Sequence, residues 1–301
     1  MWFKNIKLFR LEETFNHSID ELERMLETHK FVPCKGQDIE RMGWTDVLGK
    51  GSDALVHKIG DDLFFRCKIE KKMLPASVIN DELAEKEENF ELEHGRTLKK
   101  KEKSELKEQI ITNLLPRAFS LFKETWIWIN TKDNFLVVNA GSDKVSDDVI
   151  SLLRKSLGSL PVQPFAFNKE ITEVLTSWIQ NGEAPQGFEI GSETELRDLE
   201  GDGAVIRAKK QDLSADEITV HIKAGKVVTS LALTVNDDIS FVINENFNLK
   251  RIKLSDTLID ENITPDLDAH AQLDADLALM AGEYTKLLPI LIEAFGGELE
   301  E

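Results

Sequence analysis

Residues 226–254 read KVVTSLALTVNDDISFVINENFNLKRIKL. Three strand-like runs, KVVTSLALTV (226–235), ISFVI (239–243) and LKRIKL (249–254), follow one another across short polar gaps. Consecutive strands with short connections predict an antiparallel meander. Upstream, VIRAKK (205–210) reads as another strand, and Ser214 with Glu217 spells a capping box that opens a helix. Downstream, a helix is expected from about Ala269 to Phe295, stopped by Gly296-Gly297 and kinked or split by Pro289.

The N-terminal part reads as a second unit of the same kind. WFKNIKLFRL (2–11) alternates like a strand, and a helix from Ser18 to about His29 opens on a capping box of Ser18 and Glu21, with Leu22, Met25 and Leu26 on its apolar face. ALVHKI (54–59) and LFFRCKI (63–69) flank Gly60-Asp61-Asp62, a hairpin signal. Between Pro75 and Pro116 the composition turns to Glu, Lys and Leu, which predicts two helices broken near His94-Gly95 and projecting as a hairpin. Its first arm, Asp81–Glu93, carries seven acidic residues and one Lys, whereas 96–117 carries seven basic residues and three Glu. A second β-hairpin around Asp133-Asn134, a helix from Ser146 to Leu157, strand VQPFAF (162–167) and a helix from Glu170 to Gln180 complete the reading. The expected fold is α+β, with mixed or antiparallel sheets, packed helices and a projecting helical hairpin. Three parts are expected: residues 1–74 together with 120–167 as a first lobe, 75–119 as the hairpin, and 168–301 as a second lobe carrying the C-terminal helix or helices.

Several function classes find no support. The composition is 41% hydrophobic and 31% charged, with no run near the ~20 apolar residues of a membrane span and no signal-peptide pattern, so a cytoplasmic protein without a membrane partner is expected. Cys34 and Cys67 suit a reducing compartment and read as buried small hydrophobes. The six histidines are scattered without zinc spacing. Asp266, Asp268, His270, Asp274 and Asp276 begin like a calcium loop, but Ala271 and Leu277 stand where that loop needs Gly and a carboxylate. Gly49-Lys50-Gly51-Ser52 lacks the upstream Gly of a phosphate loop. No catalytic residue, metal or cofactor is therefore expected, and the chain is not read as an enzyme.

A formal net charge of −18 means that any binding of a polyanion needs positive charge concentrated locally. RTLKKKEKSELK (96–107) is one basic segment. In the other, Arg207, Lys209, Lys210, Lys223 and Lys226 fall within twenty residues. In LLPRAFSLF (114–122), Pro116 ends a helix and Arg117 and Phe119 follow. An aromatic beside a cation at the end of an element can wedge or stack on bases; the alternative is that Phe119 is core at the root of the hairpin.

MGWTDVLGKGSDALVH (42–57), NLLPRAFSLF (113–122), LLRKSLGSLPV (152–162), GAVIRAKKQDLSADEITVHIKAGKVVTSLAL (203–233), LKRIKL and LIEAFGGE (291–298) resemble signature segments of the RdgC family, in the same order and over essentially the whole chain. The resemblance implies a ring-shaped homodimer with a basic lining that encircles double-stranded DNA without sequence preference, single-stranded DNA being left open as a ligand. It further implies a nucleoid-associated protein that restrains RecA by limiting its access to DNA. Carried over by position, Arg117, Lys210, Gln211 and Lys226 contact DNA, and Phe119 opens or wedges it or acts at a ring interface. A ring would reconcile the acidic total with DNA binding, because charge focused between low-dielectric walls acts over a Debye length of about 8 Å. The rival expectation is an antagonist that binds RecA directly through an acidic, DNA-mimicking surface. A nuclease would instead need a carboxylate cluster around a divalent metal.

Overall fold

The computed structural model describes residues 2–49, 51–199, 201–260 and 268–299; Lys50 and Asp266, named above, lie outside them. The chain opens with β1 (Asn5–Leu11). Helix α1 (Ile19–Glu27) starts on the expected capping box, in which the Glu21 N–H donates to the Ser18 hydroxyl and the Ser18 N–H to the Glu21 carboxylate. Next come β2 (Glu40–Thr45) and the hairpin of β3 (Val56–Ile59) and β4 (Asp62–Met73). The projecting hairpin is α2 (Ala76–His94) and α3 (Lys100–Leu114), broken where Gly95 takes a φ of +66°, a left-handed conformation that favours glycine. A 3-10 turn, Leu115–Arg117, leads into β5 (Phe119–Asn130). There follow β6 (Phe135–Val138), α4 (Asp143–Leu157), β7 (Val162–Pro164) and α5 (Ile171–Asn181). The last third holds β8 (Phe188–Arg197), β9 (Val205–Lys209), α6 (Asp216–Lys223), the meander β10 (Val227–Val235), β11 (Ile239–Asn244) and β12 (Leu249–Leu254), then α7 (Asp256–Asp260) and α8 (Ala269–Ala294).

The class is α+β, and every ladder between these strands is antiparallel. The strands form one twelve-stranded sheet, in the order β2-β4-β5-β6-β1-β12-β11-β10-β8-β9, with β3 added on β4 and β7 on β1. β1 is the joint: Asn5 and Ile6 pair with β12, and Lys7–Arg10 pair with β6.

Strand periodicity explains where the cores lie. Trp126 and Trp128 of β5 enter one apolar cluster, and Ile127 and Ile129 enter another on the opposite face. Phe64 and Phe65 of β4, and Val137 and Val138 of β6, divide in the same way. Covered on both faces, these strands read as unbroken apolar runs rather than alternating ones. In β10 the inward residues Val228, Leu231, Leu233 and Val235 are buried while Ser230, Ala232 and Thr234 are partly open, the pattern of a sheet with one wet face. A third, small cluster of Ile79, Leu83 and Ile110 holds the helical hairpin.

Several sequence expectations are corrected. Ser214 does not cap α6: its hydroxyl donates to Asp212, while Glu217 accepts from Gln211, and the N-cap position is Ala215. Pro289 does not split the C-terminal helix, since α8 runs through it as one 26-residue helix. α4 begins at Asp143, capped by Ser142, and β7 is only three residues long. Cys67 is buried, but Cys34 is only half-buried. Strands β2 and β8 were not foreseen, because each carries a glycine and many polar residues. Both glycines mark close approaches: a Cβ at Gly43 would lie 2.5 Å from the Phe31 Cα, and one at Gly191 would lie 2.9 Å from the Ala232 Cβ.

Candidate nucleic-acid interface

The first candidate surface follows from the length of β4 and β5. They pair without a register break from Asp62↔Asn130 to Met73↔Phe119, whereas β6 covers β5 only from Ile127 onward. Ahead of Ile127, β5 is therefore an edge strand, and on its other side β2 follows β4 from Arg66 to Lys71. At the open end of this β4–β5 pair Phe119 is 84% exposed, and Met73, Leu121 and Phe122 are about half exposed. Phe119 is thus not core; Arg117, also exposed, precedes it in the 3-10 turn.

The open end of the β4–β5 pair is tied down by a buried carboxylate. Glu70 accepts from the Ser120 hydroxyl at 2.5 Å and from the Cys34 N–H at 2.8 Å, and these bonds, led by the one from Ser120, hold its carboxyl below the usual range. Lys72 Nζ lies 3.9 Å from Glu70 and donates to the Ala118 carbonyl. Lys68 stands over the rings of both Phe122 and Phe31, at 5.0 and 5.2 Å from their centroids. Phe119 and Arg117 therefore project from an anchored platform.

The second surface is the solvent face of β8, β9 and β12. Thr194 and Leu196 of β8 point inward, and Glu193, Glu195 and Arg197 point out. Cross-strand register sets Glu193 opposite Lys209 and Glu195 opposite Arg207. Glu195 bonds Arg207 Nε at 2.7 Å and Arg197 Nη2 at 3.2 Å, and Arg197 reaches on to Glu245 at 3.1 Å. Glu193 contacts Arg251 at 2.7 Å and Lys209 at 3.7 Å. The bonds from Arg207 and Arg251 hold the Glu195 and Glu193 carboxyls below the usual range. Arg251 adopts a φ of +54° in reaching this position.

Lys210 follows β9, exposed and at a φ of +54°. Gln211 donates its backbone N–H to Ser192 and its side-chain amide to Glu217. Lys226 sits at the other end of the hairpin, its side chain only 15% exposed and its Nζ 3.9 Å from Asp198. Strand rise puts about 15–20 Å between the Lys210 and Lys226 ends. Seven inter-strand steps separate β5 from β9, or roughly 30 Å across the sheet. The structure therefore joins Arg117 to Phe119 and Lys210 to Gln211, leaves Lys226 apart, and does not bring the five into one patch within a protomer. Sequence reasoning missed the interleaved carboxylates; the alternation of Glu193, Glu195 and Arg197 with Thr194 and Leu196 was their signal.

Among the described residues no group of three or more His, Cys, Asp or Glu side chains is placed to hold a metal ion, and no helix is long and apolar enough to cross a membrane.

Comparison with known proteins gives one consistent result. The family described as "Putative exonuclease, RdgC" matches residues 1–298. A recombination-associated protein RdgC of Tolumonas auensis is 47% identical over 302 residues, covering 100% of both chains. The proteins of the same name from Psychromonas ingrahamii and Yersinia enterocolitica are 46% and 45% identical, covering at least 99% of each chain.

Proposed function

The chain belongs to the RdgC family, and on that premise we propose that it is a non-catalytic protein that binds double-stranded DNA without sequence preference as a ring-shaped homodimer. In this reading it restrains RecA-mediated recombination by limiting access to DNA in the nucleoid, and Arg117, Lys210, Gln211 and Lys226 contact the duplex. The observation that carries it is the 84% exposure of Phe119 beside Arg117 at the anchored end of an edge strand, a geometry suited to stacking on or wedging between bases. The wide separation of this end of β5 from Lys210 also favours an extended or enclosing mode of contact, in which a second copy supplies the facing residues. The division into residues 1–74 with 120–167, 75–119 and 168–301 is retained as part of the proposal.

The test is a salt titration of duplex affinity. If the dimer neutralises about six phosphates, log affinity falls against log salt with a slope of about −5. An affinity indifferent to salt would overturn the reading. Lys210→Glu is expected to abolish DNA binding and restraint of RecA together. Restraint that survives loss of DNA binding would favour the rival, direct antagonism, for which the exposed Asp81, Glu85, Glu88 and Glu91 of α2 offer an acidic strip. Incubation of DNA with the protein and Mg²⁺ is expected to leave the strands intact; cleavage would refute the non-catalytic assignment.

A further inference from the structure

We infer that Glu193 and Glu195 are built-in counter-ions that hold the β8–β9–β12 face close to neutral and so weaken its grip on DNA. The inference rests on the proposed DNA binding and adds Arg207, Lys209 and Arg251 to its contacts.

The heights of the side chains above the sheet are the first argument. The two carboxylates are recessed, 28% and 21% exposed, whereas Arg207, Lys209 and Arg251 stand above them at 68%, 64% and 51%. Arg207 engages Glu195 through Nε, which leaves the outer edge of its guanidinium turned to solvent. A phosphate approaching this face meets cationic donors first, but most of their charge is already matched from beneath by shared carboxylates. Counting the ion-paired groups alone, four cations against three carboxylates leave a single net positive charge.

The second argument is that fold stability gives little reason for these pairs. Exposed ion pairs contribute about 0–1 kcal/mol each, and a β-sheet's solvent face tolerates neutral polar residues equally well. What the carboxylates do change is the number of counter-ions that the face condenses and releases. That number sets how affinity falls with salt. A sequence-independent binder that must leave DNA again gains from a face whose cations are numerous but largely matched.

The experiment compares wild type with Glu195→Gln and Glu193→Gln, using fluorescence anisotropy with a short mixed-sequence duplex over a salt series. Each variant keeps a hydrogen-bond acceptor for its arginine while losing the charge. Both are expected to bind tighter at low salt, with a slope steeper by about one for each protomer engaged. Their advantage then shrinks about three- to four-fold per added contact over a four-fold rise in salt. Glu27→Gln at the end of α1, which frees Lys30 just beyond the helix and changes the net charge equally, is expected to leave binding unchanged.

Tightening by Glu27→Gln to the same degree would overturn the inference, since total charge would then explain the effect. Unchanged or weaker binding by the Glu193 and Glu195 variants would overturn it too, while leaving the DNA reading intact. Wild type that fails to bind duplex at any salt would sink that reading instead. The two carboxylates pair with different arginines, so a variant that fails to fold leaves the other as the test.

Discussion

Replacing Phe119 by Ser separates an exposed aromatic tool from a packing residue. Truncating a fully buried Phe costs roughly 3–5 kcal/mol; Phe119 has only about a sixth of its surface covered, so roughly 0.5–0.8 kcal/mol is expected. At about 2 °C per kcal/mol for a chain of this size, melting should drop by only 1–2 °C. Phe64 supplies the contrast. It is 0% exposed and stacks on Trp128 at 6.3 Å, so Phe64→Ser should cost the full 3–5 kcal/mol and lower melting by at least about 6 °C. If Phe119 stacks on DNA, its loss removes about 1–3 kcal/mol, a roughly 5- to 150-fold weaker duplex affinity. The slope against log salt should not move, because a phenyl ring releases no counter-ions. Calorimetry and anisotropy on the same samples give both numbers. A melting loss as large as that of Phe64, or full duplex affinity in a stable variant, would refute the reasoning.

Other expectations follow from particular contacts. Gly43→Ala must push a methyl group to within 2.5 Å of the Phe31 Cα, and should destabilise by about 1–3 kcal/mol in denaturant titration. Tyr284→Phe removes the donor to the Phe3 carbonyl at 2.6 Å inside the core, and should cost about 1–3 kcal/mol in the same assay. Burial pushes the Cys67 thiol up to about 12, so at neutral pH a thiol reagent should modify Cys34 in the folded protein and reach Cys67 only on unfolding, as read by mass spectrometry. Glu102, held at about 2 by the bidentate Arg96, lends its support to the hairpin tip fully above the unfolded-state carboxyl value near 4.5, and that support is lost as pH falls toward 2. Hydrogen exchange at the α2–α3 turn should therefore quicken over that interval.

Legibility in the sequence tracked how local the determining physics is. The meander, the Ser18 capping box and the break at Gly95 depend on neighbours in the chain and were read correctly. Ser214 and Glu217 have the same spacing as a capping box, yet Asp212 and Gln211 outcompete the helix end for those side chains. β2 and β8 stayed hidden because their glycines answer to a distant backbone and a facing side chain, Phe31 and Ala232. For the candidate site, the cations were legible and their neutralising partners were not. Glu193 and Glu195 matter only once register places them opposite Lys209 and Arg207. Phe119 was undecided in sequence because burial at the root of a hairpin depends on how far β6 and β2 follow the β4–β5 pair.

The joint at β1 also orders events in time. The Phe3 N–H donates to the Met280 sulfur and the Phe3 carbonyl accepts from Tyr284, contacts that close loops of 277 and 281 residues. Asn5 and Ile6 wait for Lys250 and Leu249, and Arg10 waits for Glu298. β1 can pair early with β6 but completes its bonding only after almost the whole chain that follows it has been made. Such long loops slow folding and leave apolar edges open meanwhile. Refolding should thus show a slow final phase in which protection of the Phe3 and Ile6 amides appears together with that of α8, and removing residues 297–299, where Glu298 bridges Phe167 and accepts from Arg10, should loosen β1.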